Sequence, residues 1–319
     1  MEIIRQAFLK TVPQSLRVGL VYPVKNKIDQ WVRQIVELVS LSAESRRLAK
    51  SLADGEFAAA MVGCVDDEWS GRIKVACECP DNRKIPRVAN AGTIDGSLIT
   101  MHNGIKIRAM SYYGAGILNL LIANKGVHEP QEEKVFGEVL QLMPDSPVML
   151  ELGAYWAFYS IWFSRSCKNA SCYLIEPDPR NIAAGRENLR LNGLKHSIER
   201  AAVGDKRTSG LQAVRTITVD DFCERKGIKH LNILHADIQG SEHKMLSGCS
   251  KMFERRAVDF IFISTHSEEL HQSCISFLEK NSYSTLCSAT PAESYSCDGL
   301  LVAKRTELPQ PETLTISRR

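Results

Sequence analysis

Two short apolar runs in the second half of the chain end on side chains that can move protons or hold a cation. Leu231–Ala236 leads into Asp237, with Glu242 five residues further on, and Val258–Ser264 leads into Thr265 and His266. An imidazole with an unperturbed pKa near about 6.5 can take the proton of a hydroxyl. The same three groups, Asp237, Glu242 and His266, could instead ligate a divalent cation that lowers the hydroxyl's pKa. His271, five residues later on an expected helix, reads as structural.

A second set of groups points to a bound adenosine. Glu151-Leu152-Gly153-Ala154-Tyr155-Trp156-Ala157 follows a short apolar run and leads straight into a helix. Gly153 and Ala154 let a ligand approach the backbone, and the amides that open the helix suit an anionic group. Twenty-five residues after Glu151, Glu176 ends the next apolar run in Leu174-Ile175-Glu176-Pro177-Asp178. An acid there can accept both hydroxyl protons of a ribose. A dinucleotide site would want GxGxxG, and one glycine of that set is present, which argues against a nicotinamide cofactor and an oxidoreductase. An acidic first-strand end repels a pyrophosphate but suits a zwitterionic amino acid attached to adenosine. That description is S-adenosylmethionine (SAM).

The elements that must position these groups alternate. Strands are expected at Val148–Leu152, Cys172–Ile175, Ser197–Val203, Leu231–Ala236 and Val258–Ser264, with helices at Phe158–Cys167, Pro179–Asn192, Val219–Arg225, Ser241–Leu246 and Glu268–Lys280. Strands separated by helices make a parallel sheet covered on both faces, which binds ligands at the carboxyl ends of its strands. Two late strands, Tyr283–Ser288 and Gly299–Ala303, need only a loop between them, so one is expected antiparallel at the edge. Ahead of this domain, residues 1–110 read as an α+β region that caps the fold or holds substrate: an amphipathic helix from Ile28 to Leu52, a strand at Arg72–Cys79, and two strands across Ser97–Met110 around His102-Asn103-Gly104. The sheet domain is expected over residues 111–305, and 306–319 as a loose tail.

Over roughly residues 126–288 the chain resembles the FkbM-type methyltransferases of the class I SAM-dependent fold, through six segments in order: His128-Glu129-Pro130, Glu151-Leu152-Gly153-Ala154, Ile175-Glu176-Pro177-Asp178-Pro179, Ala201-Ala202-Val203-Gly204-Asp205, Thr218-Val219-Asp220-Asp221-Phe222 and His235-Ala236-Asp237-Ile238-Gln239-Gly240-Ser241-Glu242. The resemblance implies a Rossmann-like sheet and a SAM site built from Glu129, Glu151, Gly153, Ala154, Tyr155, Glu176, Pro177 and Asp205, with Glu176 on the ribose, Asp205 near the adenine and Glu129 toward the methionine end. It also implies a sugar or small natural product as methyl acceptor. The chain departs from the family at Tyr155 and Trp156, where Gly-Ala-Asn-x-Gly is usual, so these rings either reshape the cofactor pocket or pack against neighbours. His235 replaces a common Lys and Gln239 a common Glu. The loss of that carboxylate favours His266 as base over a metal, because magnesium prefers hard oxygen ligands.

The remaining composition limits the alternatives. With 40 Lys+Arg against 37 Asp+Glu the 319-residue chain is nearly neutral, so no nucleic-acid partner is expected. Its apolar runs are too short to span a bilayer, and residues 1–22 carry no signal-peptide pattern. Ten scattered cysteines, with only Cys77 and Cys79 close together, read as reduced thiols of a cytoplasmic protein. The expectation is therefore an O-methyltransferase acting on a hydroxyl, against two rivals: a catalytically silent SAM-binding module and an N-methyltransferase. The oligomeric state is not legible.

Overall fold

The computed structural model describes residues 47–208 and 214–319; from Leu48 onward they form one compact unit. Most of the helix expected from Ile28 lies outside the described residues. Residues 47–52 are helical; beyond them come two helices, α1 (Gly55–Ala60) and α2 (Asp67–Glu78), and a three-stranded antiparallel sheet of β1 (Ile94–Asp95), β2 (Leu98–Thr100) and β3 (Lys106–Arg108). The β2–β3 hairpin turns where Asn103-Gly104 predicts, with Gly104 at φ 81°.

The strand expected at Arg72–Cys79 is instead part of α2. Its period-two alternation overlies a helical stripe of Trp69, Ile73 and Ala76, which pack on the core. Asp66 caps the helix by accepting from the Trp69 amide, and Arg72–Glu68 and Lys74–Glu78 pair at i,i+4. Local capping therefore outweighs the alternation. Cys77 is exposed while Cys79 is buried, and all ten cysteines are free.

Two further helices, α3 (Gly114–Ala123) and α4 (Pro130–Leu140), lead into the main sheet, whose strands are β4 (Val148–Leu152), β5 (Ser171–Glu176), β6 (Ile198–Arg200), β9 (Leu231–Ala236), β10 (Val258–Thr265), β11 (Tyr283–Ala289) and β12 (Gly299–Arg305). Their order is β11-β12-β10-β9-β4-β5-β6. The crossovers carry α5 (Phe158–Ser166), α6 (Pro179–Leu191), α7 (Val219–Lys226), α8 (Glu242–Ser247), α9 (Ser250–Glu254) and α10 (Glu268–Lys280). Every residue of β9 and β10 is buried, as in a sheet covered on both faces. Neighbouring residues of β10 serve opposite layers: Phe260 and Phe262 join the core that holds Phe136 and Phe158, and Ile261 and Ile263 the core that holds Phe222 and Phe253. This is a Rossmann-like sheet, parallel except for β12. The strand order reverses at β4, so the crevice beyond β4 and β9 is where such a sheet binds ligand.

Three expectations change. The antiparallel strand is β12, and it lies one place in from the edge, between β10 and β11. The third strand breaks after Arg200, and β7 (Ala202–Val203) pairs separately with β8 (Thr216–Ile217). Residues 306–319 are not a loose tail: the Leu314 amide donates to Leu286, Ser317 donates to Asp81, and Gln131 donates to the Ser317 carbonyl. Leu308, Leu314 and Ile316 pack on the core. Among the described residues no helix is long and apolar enough to cross a membrane.

Candidate active site

The carboxyl ends of β4, β5, β9 and β10 bring Gly153, Glu176, Asp237 and His266 to one side of the sheet. A cleft of about 250 Å³ lies there, lined among others by Gly153, Tyr155, Glu176, Pro177, Ala202 and Asp237, with Tyr113 closing it from the start of α3.

Gly153 has φ 75°, and a Cβ on it would stand 1.8 Å from the Asp237 carbonyl oxygen. The glycine is therefore demanded by the close approach of the chain leaving β9, before any ligand is considered. Ala154, beside it, is buried. Glu176 is 3% exposed. Its carboxylate accepts from the Asp178 amide (2.8 Å), the Tyr155 amide (3.1 Å) and Asn181 (3.2 Å). Burial raises its pKa, and the two backbone amides partly offset that. A carboxylate offers about four acceptor positions, so capacity remains for a hydroxyl donor from the cleft.

The other sequence-predicted cofactor residues separate. Glu151 is buried beneath the cleft, in the wall of a recess of about 20 Å³ shared with Glu129, Ala154 and Tyr155, and it accepts from the Ser160 amide and hydroxyl. Burial pushes its pKa up to about 7. Asp205 stands exposed and is not among the residues lining the cleft; where it was expected, Ala201–Val203 form the wall. The two unusual rings also part. Trp156 is buried and stacks on Tyr112 at 4.3 Å and 10°, whereas Tyr155 lines the cleft.

A second cavity of about 550 Å³ opens beside the first. One wall is α2, through Trp69, Arg72 and Ala76; the other comprises Glu129, Tyr295, Cys297 and Asp298. Tyr113, Asp237 and Gln239 line both cavities. Asp237 thus stands at their junction, and Gln239 donates to its carboxylate at 3.0 Å.

His266 lies among three carboxylates: Nδ1 is 2.9 Å from Glu242, and Nε2 is 3.4 Å from Asp237 and 3.5 Å from Asp298. Burial opposes its charge, but the surrounding acids outweigh that and push its pKa up to about 10. That direction favours an imidazolium over the free imidazole base expected from the sequence. Asp298 moves the other way from an ordinary carboxyl: burial raises it to about 6, with His266 opposing and Glu129 and Asp237 adding to the rise. Glu242 is fully buried and accepts from the Gly240 amide at 3.1 Å, which shapes the loop after β9. Among the described residues no group of three or more His, Cys, Asp or Glu is arranged to hold a metal ion.

Nothing in the sequence marks Asp298, because its place depends on β12 entering the sheet beside β10. Equally hidden is a buried chain of groups behind Glu129. His128 lies 3.1 Å from Glu129 and 2.6 Å from Glu133, whose other oxygen is 3.1 Å from His102. Tyr159 donates to Glu129 at 3.0 Å. His235 lies 2.7 Å from Glu132 on α4, so that buried acid has a basic partner.

The chain is similar in part to known methyltransferases. Residues 193–285 match the methyltransferase FkbM domain. The 2-O-methyltransferase NoeI of Sinorhizobium fredii is 22% identical over 188 residues, 46% of this chain and 76% of that protein. Among solved structures, a precorrin-6y C5,15-methyltransferase from Geobacter metallireducens superposes with a TM-score of 0.39 at 16% identity, over 54% of this chain and 88% of its own. A ribosomal protein L11 methylase from Lactobacillus delbrueckii does so with 0.39 at 13% identity, over 57% and 82%.

Proposed function

We propose that the chain is a SAM-dependent methyltransferase that methylates a hydroxyl of a small molecule or sugar. The observation that carries this reading is the meeting of two cavities at Tyr113, Asp237 and Gln239, one with a buried acid suited to a ribose and the other large enough for an acceptor. Glu176 would hold the ribose hydroxyls, with Tyr155 and Asp237 toward the reactive end. The bound cofactor supplies an electrophilic methyl group for in-line displacement. The acidic lining suits a sulfonium cation, which fits the donor set better than a pyrophosphate would. The relative named a 2-O-methyltransferase supports a hydroxyl acceptor.

In this reading the chain aligns the acceptor and removes its proton. Asp298 faces the acceptor cavity and takes the proton on its carboxylate. His266, held charged by Asp237 and Glu242, keeps Asp298 ionised near neutral pH. The apolar side of α2 limits water around the reacting oxygen.

An amine acceptor is the second reading, favoured by the three carboxylates, Glu129, Asp237 and Asp298, that line the same cavity. Incubation with methyl-labelled SAM and pools of cell extract tests both. Label should appear in a small molecule as a methyl ether, and Asp298→Asn should lower turnover by about 10²–10⁴-fold. Label on nitrogen, with that variant fully active, would select the amine. Tight SAM binding without any transfer would leave a silent binding module.

A further inference from the structure

Tyr113 and Tyr155 share an unusual backbone. Tyr113 has φ 41° and Tyr155 φ 35°, in the left-handed region that large side chains rarely enter. Such strain persists where the surrounding structure imposes it, and it clusters at ligand-holding sites. The two residues come from different parts of the chain, one from the cap of α3 and one from the turn after β4. Their ring centroids nevertheless stand 5.4 Å apart, and Tyr112 braces both, with its ring 4.7 Å from each. Tyr112 is itself fixed by its stack on Trp156. Tyr113 remains 51% exposed, so the pair is not simply part of the core.

Position gives the rings a role. Both line the cofactor cleft, and Tyr113 also lines the acceptor cavity. On the methyltransferase reading, a methyl group bound for that cavity leaves the cleft past Tyr113, with the Tyr155 ring 5.4 Å from that of Tyr113. Aromatic faces attract cations, and the attraction grows when water is excluded. Asp237, at the same junction, adds a negative charge.

We propose that Tyr113 and Tyr155 form an aromatic clamp that holds the sulfonium of SAM by cation–π attraction, so that the chain prefers SAM over its neutral thioether product. This inference rests on the methyltransferase reading and goes beyond it by assigning cofactor discrimination to two residues. A clamp of this kind would also speed release of the spent cofactor, because the thioether lacks the positive charge that the rings attract.

Calorimetric titration of the full chain with SAM and with S-adenosylhomocysteine separates the possibilities. The unmodified chain should bind SAM more tightly. Tyr113→Asn and Tyr155→Asn, which put a residue tolerant of positive φ at each site, should each reduce that preference roughly 3- to 30-fold. Tyr113→Phe and Tyr155→Phe, which keep the ring face, should retain it. If the Asn variants weaken both ligands equally, the rings stack on another part of the cofactor and the clamp is refuted. If neither ligand binds the unmodified chain, the methyltransferase reading itself fails.

Discussion

The carbonyl oxygen of Asp237 occupies the space that a side chain on Gly153 would need, 1.8 Å from the position of its Cβ. The contact locks the end of β4 to the chain leaving β9 and thereby sets the floor of the cleft. Gly153→Ala would combine a left-handed backbone penalty with overpacking. A loss of about 2–5 kcal/mol is expected, measured as a lower midpoint in thermal or denaturant unfolding. A variant of undiminished stability would mean that β4 and β9 can separate.

The acid and the imidazolium at the acceptor cavity predict an activity that rises with pH through one acid limb. Asp298 must be ionised to take a proton, so activity should rise as pH passes about 6. His266, its pKa raised to about 10 by the surrounding acids against burial, stays charged across that limb. Initial rates across this range decide it. His266→Gln should shift the acid limb to higher pH, because the cation that favours ionised Asp298 is removed; an unmoved limb would assign it to another group.

His266 also links stability to pH. Its pKa is raised in the folded chain, so its stabilising contribution is fully present below the unfolded value of about 6.5 and is lost as pH rises toward about 10. His128, raised to about 10 by Glu129 and Glu133 against the effect of burial, acts in the same sense. Thermal midpoints should therefore fall between pH 7 and pH 10, and less steeply in His266→Gln. An equal slope in both proteins would show that His266 carries no such coupling.

His235 and Glu132 form a buried pair between β9 and α4. His235→Leu would leave the acid without its partner, and a loss of about 1–3 kcal/mol is expected. His235→Lys, which restores a basic partner, should recover part of it. Chemical denaturation of the two variants checks the pair.

The sheet was legible because its strands are buried on both faces. Leu231–Ala236 reads as a strand and is β9 to the residue; Glu268–Lys280 reads as a helix and is α10, bounded by the Ser267 cap and by Asn281. Glu176 was legible as an acid at a strand end. The acceptor side was not. Arg72–Cys79 alternates like a strand, and only the tertiary stripe of Trp69, Ile73 and Ala76 shows the helix that walls the larger cavity. Asp298 enters through strand order, and the left-handed backbone of Tyr113 leaves no trace in a sequence. His266 is legible as a polar strand end, but its charge is set by Asp237 and Glu242, with Asp298 adding, through contacts that only the fold makes.

Glu176 carries the central claim most directly. Charge-assisted hydrogen bonds contribute about 1.5–3 kcal/mol each, so a ribose held by this carboxylate should be lost in proportion. In a calorimetric titration the unmodified chain should bind SAM with one-to-one stoichiometry, and Glu176→Ala should weaken that binding by roughly one to two orders of magnitude. Absence of any heat with SAM, or SAM binding that is indifferent to Glu176→Ala, would contradict the account.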